Sequence, residues 1–233
     1  MSPLRENSII QSGIVLDKKQ IAGHTFHLKI QSNDFNQMQY VAGFTVDIFL
    51  GNPLSQLDCE DRKYSFWNYE PLNNVADFAI CTFSQGKGAS WIQKLQQGDI
   101  IYFKPPKGKL LVDNNAGYYL MIGNITALSH LYEINRNLPQ TKKTFSFIYT
   151  YRRQDIFADI DGSFPFNYYI INPLSADAVK SKIIQVLPKF EGKGIAYILG
   201  EPETCIALQH YFKNEKHWDS KSLKTKPFWK VIA

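Results

Sequence analysis

Residues 62–65 read Arg-Lys-Tyr-Ser, and a second stretch reads Gly86-Lys-Gly-Ala-Ser90. Their residue types suit one flat, phosphate-bearing ligand. A planar guanidinium such as Arg62 can grip a phosphate bidentately. The Tyr64 ring can lie against a ring system, and the Ser65 hydroxyl can reach a ring nitrogen. Gly86, Gly88, Ala89 and Ser90 stand where a turn enters a helix. Free backbone N–H groups and the helix dipole can receive a pyrophosphate there. Glycine permits close approach, and Ser90 can contact a phosphate directly. A flavin needs all of these groups. Each stretch also has a plainer reading. Taken alone, residues 62–65 favour an ordinary strand with Arg62 exposed and Tyr64 buried, and Ser90 equally suits a helix N-cap. The second stretch is not a dinucleotide GxGxxG, because Trp91 stands where the last glycine would be, and no Walker A sequence occurs.

Two kinds of element must position these groups. Ser8–Leu16, His24–Ile30, Phe44–Leu50, Arg62–Trp67, Ala76–Thr82 and Asp99–Phe103 are short, rich in β-branched and aromatic residues, and separated by turn formers. They predict a six-stranded antiparallel β-barrel over residues 1–108. One helix interrupts it at Ala89–Gln96, with Trp91, Ile92 and Leu95 on one face. From Gly117 the rhythm changes. Continuous apolar runs at Tyr118–Ile122, Thr144–Thr150, Tyr168–Ile171 and Ile195–Leu199 alternate with helical patterns at Ala127–Asn137, Ala176–Leu187 and Glu203–Asn214. That alternation predicts a parallel-sheet α/β domain over residues 109–233, with Lys104–Lys109 as the link.

Composition narrows the function classes. At 233 residues, 44% hydrophobic and 20% charged, the chain can build two ordinary globular cores. A net charge of +5, with charge runs no longer than Lys18-Lys19 or Lys142-Lys143, gives no reason to expect a nucleic-acid partner. Cys59, Cys81 and Cys205 are far apart and form no CxxC, so neither a disulfide framework nor a zinc site is expected. No apolar run approaches the roughly 20 residues of a membrane span, and the first residues lack the apolar centre of a signal peptide. A cytoplasmic protein is expected. His24 and His27 fall on opposite faces of a strand, and His130, His210 and His217 belong to no carboxylate or cysteine constellation, so no metal-ligand set is expected.

Taken together, the motifs resemble those of the ferredoxin-NADP reductase superfamily, and within it those of siderophore-interacting proteins, the FAD-dependent ferric-siderophore reductases. Arg62-Lys-Tyr-Ser65 resembles the family's Arg-x-Tyr-Ser/Thr element. Gly86-Lys-Gly-Ala-Ser-Trp91 and Gly98-Asp99 resemble its helix start and the step into the next strand. Gly123-Asn-Ile-Thr-Ala-Leu128 resembles its Gly-Asp-Glu-Thr-Ala-Leu loop, departing at Asn124, Ile125 and, one residue beyond it, Ser129. Gly200-Glu201 and Phe228-Trp229-Lys230 resemble a Gly-Glu step and a closing aromatic element.

The resemblance implies FAD held by Arg62, Tyr64, Ser65 and the Gly86–Ser90 turn, with Tyr64 and Ser65 framing the isoalloxazine where the two domains join. It implies NADPH or NADH as donor. Thr126 would contact the nicotinamide nucleotide, although residues 123–127 also read as a plain strand-to-helix turn. Arg152 and Arg153 follow the second strand, where arginine favours a 2′-phosphate; two adjacent arginines also suit a solvated loop. Glu201 would position nicotinamide or tune electron transfer, and equally suits a helix start. Trp229 would cover the flavin or anchor the tail. Lys216, Lys221, Lys224, Lys226 and Lys230 could attract an anionic ferric complex, though a solvated tail explains most of them. The implied protein is a monomeric flavoenzyme passing electrons from NAD(P)H to a ferric siderophore and releasing Fe(II). Alternatives are a general NAD(P)H:flavin or quinone reductase, and a non-enzymatic siderophore- or flavin-binding module.

Overall fold

A computed structural model describes residues 9–56, 58–84 and 86–228. The chain divides into two compact units, Met1–Leu111 and Val112–Ala233. In the first, β1 (Gln11–Ala22), β2 (Thr25–Gln31), β3 (Thr45–Phe49), β4 (Asp61–Ser65), β5 (Asn68–Glu70), β6 (Val75–Cys81) and β7 (Ile100–Phe103) form one antiparallel sheet in the order β4-β3-β7-β1-β2-β6-β5. Period-2 alternation builds its core. Ala76, Phe78 and Ile80 of β6 pack with Leu28 and Ile30 of β2 and Ile101 and Phe103 of β7. The helix α1 (Lys87–Lys94) closes one side through Ile92, which is fully buried.

The sheet has seven strands, where six were expected. The additional one is β5, whose three residues are too short for alternation to be read. Its position decides the shape. Strands β4 and β5 lie at opposite edges, yet only Phe66 and Trp67 separate them. Phe66 N–H donates to Phe44 O at 3.2 Å and Trp67 N–H to Asp77 O at 2.8 Å, so two consecutive residues bond toward the two sides. The sheet must therefore curl into a half-barrel.

The second unit contains β8 (Tyr118–Asn124), α2 (Leu128–Arg136), β9 (Lys143–Thr150), β10 (Tyr168–Ile170), α3 (Ala176–Val186), β11 (Gly194–Gly200), α4 (Pro202–His210) and β12 (Leu223–Pro227). Its sheet is wholly parallel, in the order β10-β9-β8-β11-β12. Every residue of β11 and all but the last of β8 are buried, as expected when helices cover both faces. Gly194 pairs with Tyr118, and a Cβ there would overlap the tyrosine ring. The edge strand β12 lay in the segment read as a lysine-rich tail. No helix among the described residues is long and apolar enough to cross a membrane.

Candidate functional site

In the first unit the site begins on β4. Arg62 is exposed; its Nη2 pairs with Glu60 Oε2 at 2.8 Å, and its Nη1 donates to Asp61 O at 2.7 Å. Tyr64 is half-buried, its ring stacked on Trp91 with centroids 6.1 Å apart and planes 20° apart. Burial pushes its phenol well above the usual range. Ser65 is half-buried opposite Thr45 of β3. A Cβ added to Gly88 would lie 2.9 Å from the Tyr64 hydroxyl, so this glycine lets α1 start directly against the tyrosine.

The start of α1 faces an open cleft of about 740 Å³. Gly51, Cys59 and Glu60 line it from the β3–β4 connection; Lys87, Ser90 and Trp91 line it from the helix. Gly86 is the N-cap and gives no side-chain cap, so Ser90 is not the cap: its N–H already bonds Gly86 O at 3.0 Å. The N–H groups of Lys87, Gly88 and Ala89 precede the first intrahelical bond and are the donors a helix start offers an anion. Ala89 itself is buried. A Cβ on Gly86 would meet only the Ser84 hydroxyl, at 3.5 Å, leaving room for close backbone approach.

Two residues that sequence reading did not single out complete this arrangement. Lys87 pairs with Glu60 Oε1, and Glu60 also holds Arg62. The Lys87 hydrogen bond first, and the Arg62 bond second, hold the Glu60 carboxyl below the usual carboxylate range. Glu60 precedes Arg62 by one strand period, which is the signal that would have flagged it. Cys59 lines the same cleft, but burial, with smaller contributions from Asp61 and Glu60, pushes its thiol up and away from thiolate chemistry. Lys87, uncapped N–H donors and a roomy cleft fit a flavin phosphate. Arg62, Tyr64 and Ser65 are not among the cleft's lining residues.

In the second unit the strand order places the switch point between β8 and β11, where β9 continues on one side and β12 on the other. The loops after both strands meet there. Gly200, at φ +125°, lies so close to Asn124 that an added Cβ would overlap its Oδ1 and stand 2.9 Å from its Cγ. Asn124 Oδ1 accepts the Thr126 N–H at 3.2 Å and the Thr126 hydroxyl at 2.7 Å. Ile125 is buried. Glu201 caps α4: it accepts the Glu203 N–H at 3.1 Å, the Thr204 N–H at 2.8 Å and the Thr204 hydroxyl.

Beyond β9, Arg152 and Arg153 are exposed, and Arg152 Nε pairs with buried Asp155 Oδ2 at 3.3 Å. Arg152 thus keeps its two terminal nitrogens for other acceptors. Several lysines near the end are engaged: Lys224 pairs with Asp113 at 3.5 Å and Lys216 lies over Tyr211. Trp229 and Lys230 lie outside the described residues.

No family model matches the chain. The ferric vibriobactin reductase ViuB of Vibrio cholerae serotype O1 is 25% identical over 176 residues, spanning 72% of this chain and 64% of that protein. The siderophore-interacting protein of Acinetobacter baumannii superposes with a TM-score of 0.81 at 12% identity, over 97% of this chain and 91% of that one. This chain shares that protein's fold. Ferredoxin-NADP+ reductase from Plasmodium falciparum, solved with 2′P-AMP, shares it with a TM-score of 0.72 at 18% identity, over 94% of this chain and 96% of that one. The curled antiparallel sheet and the parallel α/β unit are therefore shared with both of these structures.

Proposed function

We propose that this chain is a flavin-dependent NAD(P)H oxidoreductase that reduces ferric siderophores and releases Fe(II) in the cytoplasm. The observation that carries the proposal is the uncapped start of α1, which opens with Lys87 onto a cleft large enough for a nucleotide. A bound flavin supplies the conversion between the two-electron donor, a nicotinamide, and the one-electron acceptor, Fe(III). The chain's own residues bind and orient. Arg62, Lys87, Ser90 and the first-turn N–H groups take the flavin phosphates, while Tyr64 and Ser65 take the isoalloxazine end. Thr126 takes the nicotinamide nucleotide at the switch point, and the Glu201 carboxylate, held rigid by three donors, positions its ring. Arg152 and Arg153 take a 2′-phosphate, the group carried by the 2′P-AMP bound to the Plasmodium reductase. The likeness to a ferric vibriobactin reductase supports the choice of acceptor.

The test is spectroscopic. Protein loaded with FAD should bleach when NADPH is added anaerobically, and a ferric siderophore should restore the yellow colour with formation of Fe(II). Faster reoxidation by free flavins or quinones than by the ferric chelate would replace the proposed acceptor. A second reading rests on Asn124, whose acceptor is already spent on both Thr126 donors. Under it the chain binds flavin or siderophore without nicotinamide chemistry, and NADPH leaves the yellow protein unbleached.

A further inference from the structure

The two cations assigned to the flavin phosphate share a single internal anion. Glu60 Oε1 pairs with Lys87 and Glu60 Oε2 with Arg62 at 2.8 Å. Neighbouring cations have acids of their own: Lys63 pairs with Asp47, and Lys104 with Asp61. Among the described residues no second carboxylate pairs with Arg62 or Lys87, although Asp58 and Asp99 also line the cleft, together with Lys94. All three side chains are well exposed, at 40% for Glu60, 45% for Arg62 and 71% for Lys87. Exposed pairs of this kind are weak, whereas charge-assisted contacts to a phosphate are stronger and can be bidentate.

We infer that Glu60 is a built-in competitor for the flavin phosphate, a carboxylate that holds Arg62 and Lys87 in place and yields them when a phosphate arrives. This rests on the flavin reading given above. Glu60 lines the same cleft as Lys87 and Ser90, so carboxylate and phosphate contend for one location. With its carboxyl held low by Lys87 and then Arg62, Glu60 remains ionised at neutral pH and competes there at full charge. The consequence is a flavin that exchanges: the chain's own anion sets its affinity below what the two cations alone would allow. It also makes the penalty selective. Riboflavin, with no phosphate, has no quarrel with Glu60, whereas FMN and FAD do.

Equilibrium titration of the full chain with FAD, FMN and riboflavin, followed by flavin fluorescence, tests this in wild type, Glu60→Gln and Glu60→Ala. Glu70→Gln serves as a control for net charge, because Glu70 is exposed and, among the described residues, its carboxylate bonds only Asn73. Both Glu60 variants should bind FAD and FMN about three- to thirtyfold more tightly than wild type, with riboflavin unchanged and Glu70→Gln at the wild-type value. Unchanged or weaker FAD binding in both variants, or an equal gain for riboflavin, overturns the inference and leaves the flavin reading standing. No binding of any flavin to wild type or variants, with all of them folded by circular dichroism, overturns the flavin reading and this inference together.

Discussion

Gly200→Ala is the most stringent test of how the second unit builds its switch point. The residue holds φ +125°, a region L side chains avoid at a cost of about 1–3 kcal/mol. An alanine Cβ would also drive into the Asn124 side chain. To escape, Asn124 must rotate and release both Thr126 donors, worth about 0.5–1.5 kcal/mol each. The total is roughly 2–6 kcal/mol, which for a cooperative unit of this size lowers Tm by about 6–24 °C. Differential scanning calorimetry of wild type, Gly200→Ala, Asn124→Ala and the double variant measures it. Because the two residues contend for one space, the double variant should be less destabilised than the sum of the singles by about 1–2 kcal/mol. A Tm shift below about 2 °C for Gly200→Ala, or strict additivity in the cycle, would refute the packing argument.

Three further outcomes follow from the same geometry. Lys87→Ala should weaken FAD binding about five- to thirtyfold and leave riboflavin binding unchanged, with the difference shrinking in high salt; equal losses for both flavins would remove Lys87 from the phosphate site. Arg152→Ala combined with Arg153→Ala should weaken 2′P-AMP binding by calorimetry at least tenfold relative to AMP, through loss of charge-assisted contacts worth about 1.5–3 kcal/mol; matching losses would show that neither arginine meets a 2′-phosphate. Asp77 titrates against opposing influences: burial alone would raise its carboxyl, but hydrogen bonds from His27 and Asn68, with the charges of His27 and Lys29, hold it below the usual range. A depressed folded-state value means that its stabilisation is complete above the unfolded carboxylate range and is lost as pH falls through the folded value. Urea denaturation from neutral pH downward should therefore show wild type losing about 1–3 kcal/mol below about pH 4, with a flatter profile for Asp77→Asn; parallel profiles would show that Asp77 is not responsible.

The architecture was legible where local pattern and global packing agree. Alternation in Asp99–Phe103 marks a strand with one buried face, and the unbroken apolar runs at Tyr118–Ile122 and Ile195–Leu199 mark strands buried on both. The pattern fails for β5 and β12 for opposite reasons. Three residues of Asn-Tyr-Glu carry no period, and the Leu-Lys-Thr-Lys-Pro of β12 has edge lysines that read as tail. Its strand character comes from the backbone of β11 beside it. At the candidate site, the sequence could name Arg62, Gly86, Gly88 and Ser90 by type, but not what each touches. Gly88 suited close approach by a ligand, yet it is the Tyr64 hydroxyl that comes close.

Residue type and spacing sufficed for the antiparallel β character of the first unit, the parallel α/β unit and the segments that bear chemistry, because those depend on periodicities local to a few residues. Tertiary structure alone decided that Lys87 meets Glu60. Glu60 stands between Arg62 and Lys87 because the strand leading to Arg62 and the helix bearing Lys87 border one cleft, a proximity that the curl of the sheet creates. Asn124 and Gly200 meet because β8 and β11 are neighbours in space, paired from Gly194–Tyr118 to Leu199–Gly123, although α2, β9, β10 and α3 lie between them along the chain. Contacts of that kind depend on how backbones pair at long range, and no local pattern encodes them.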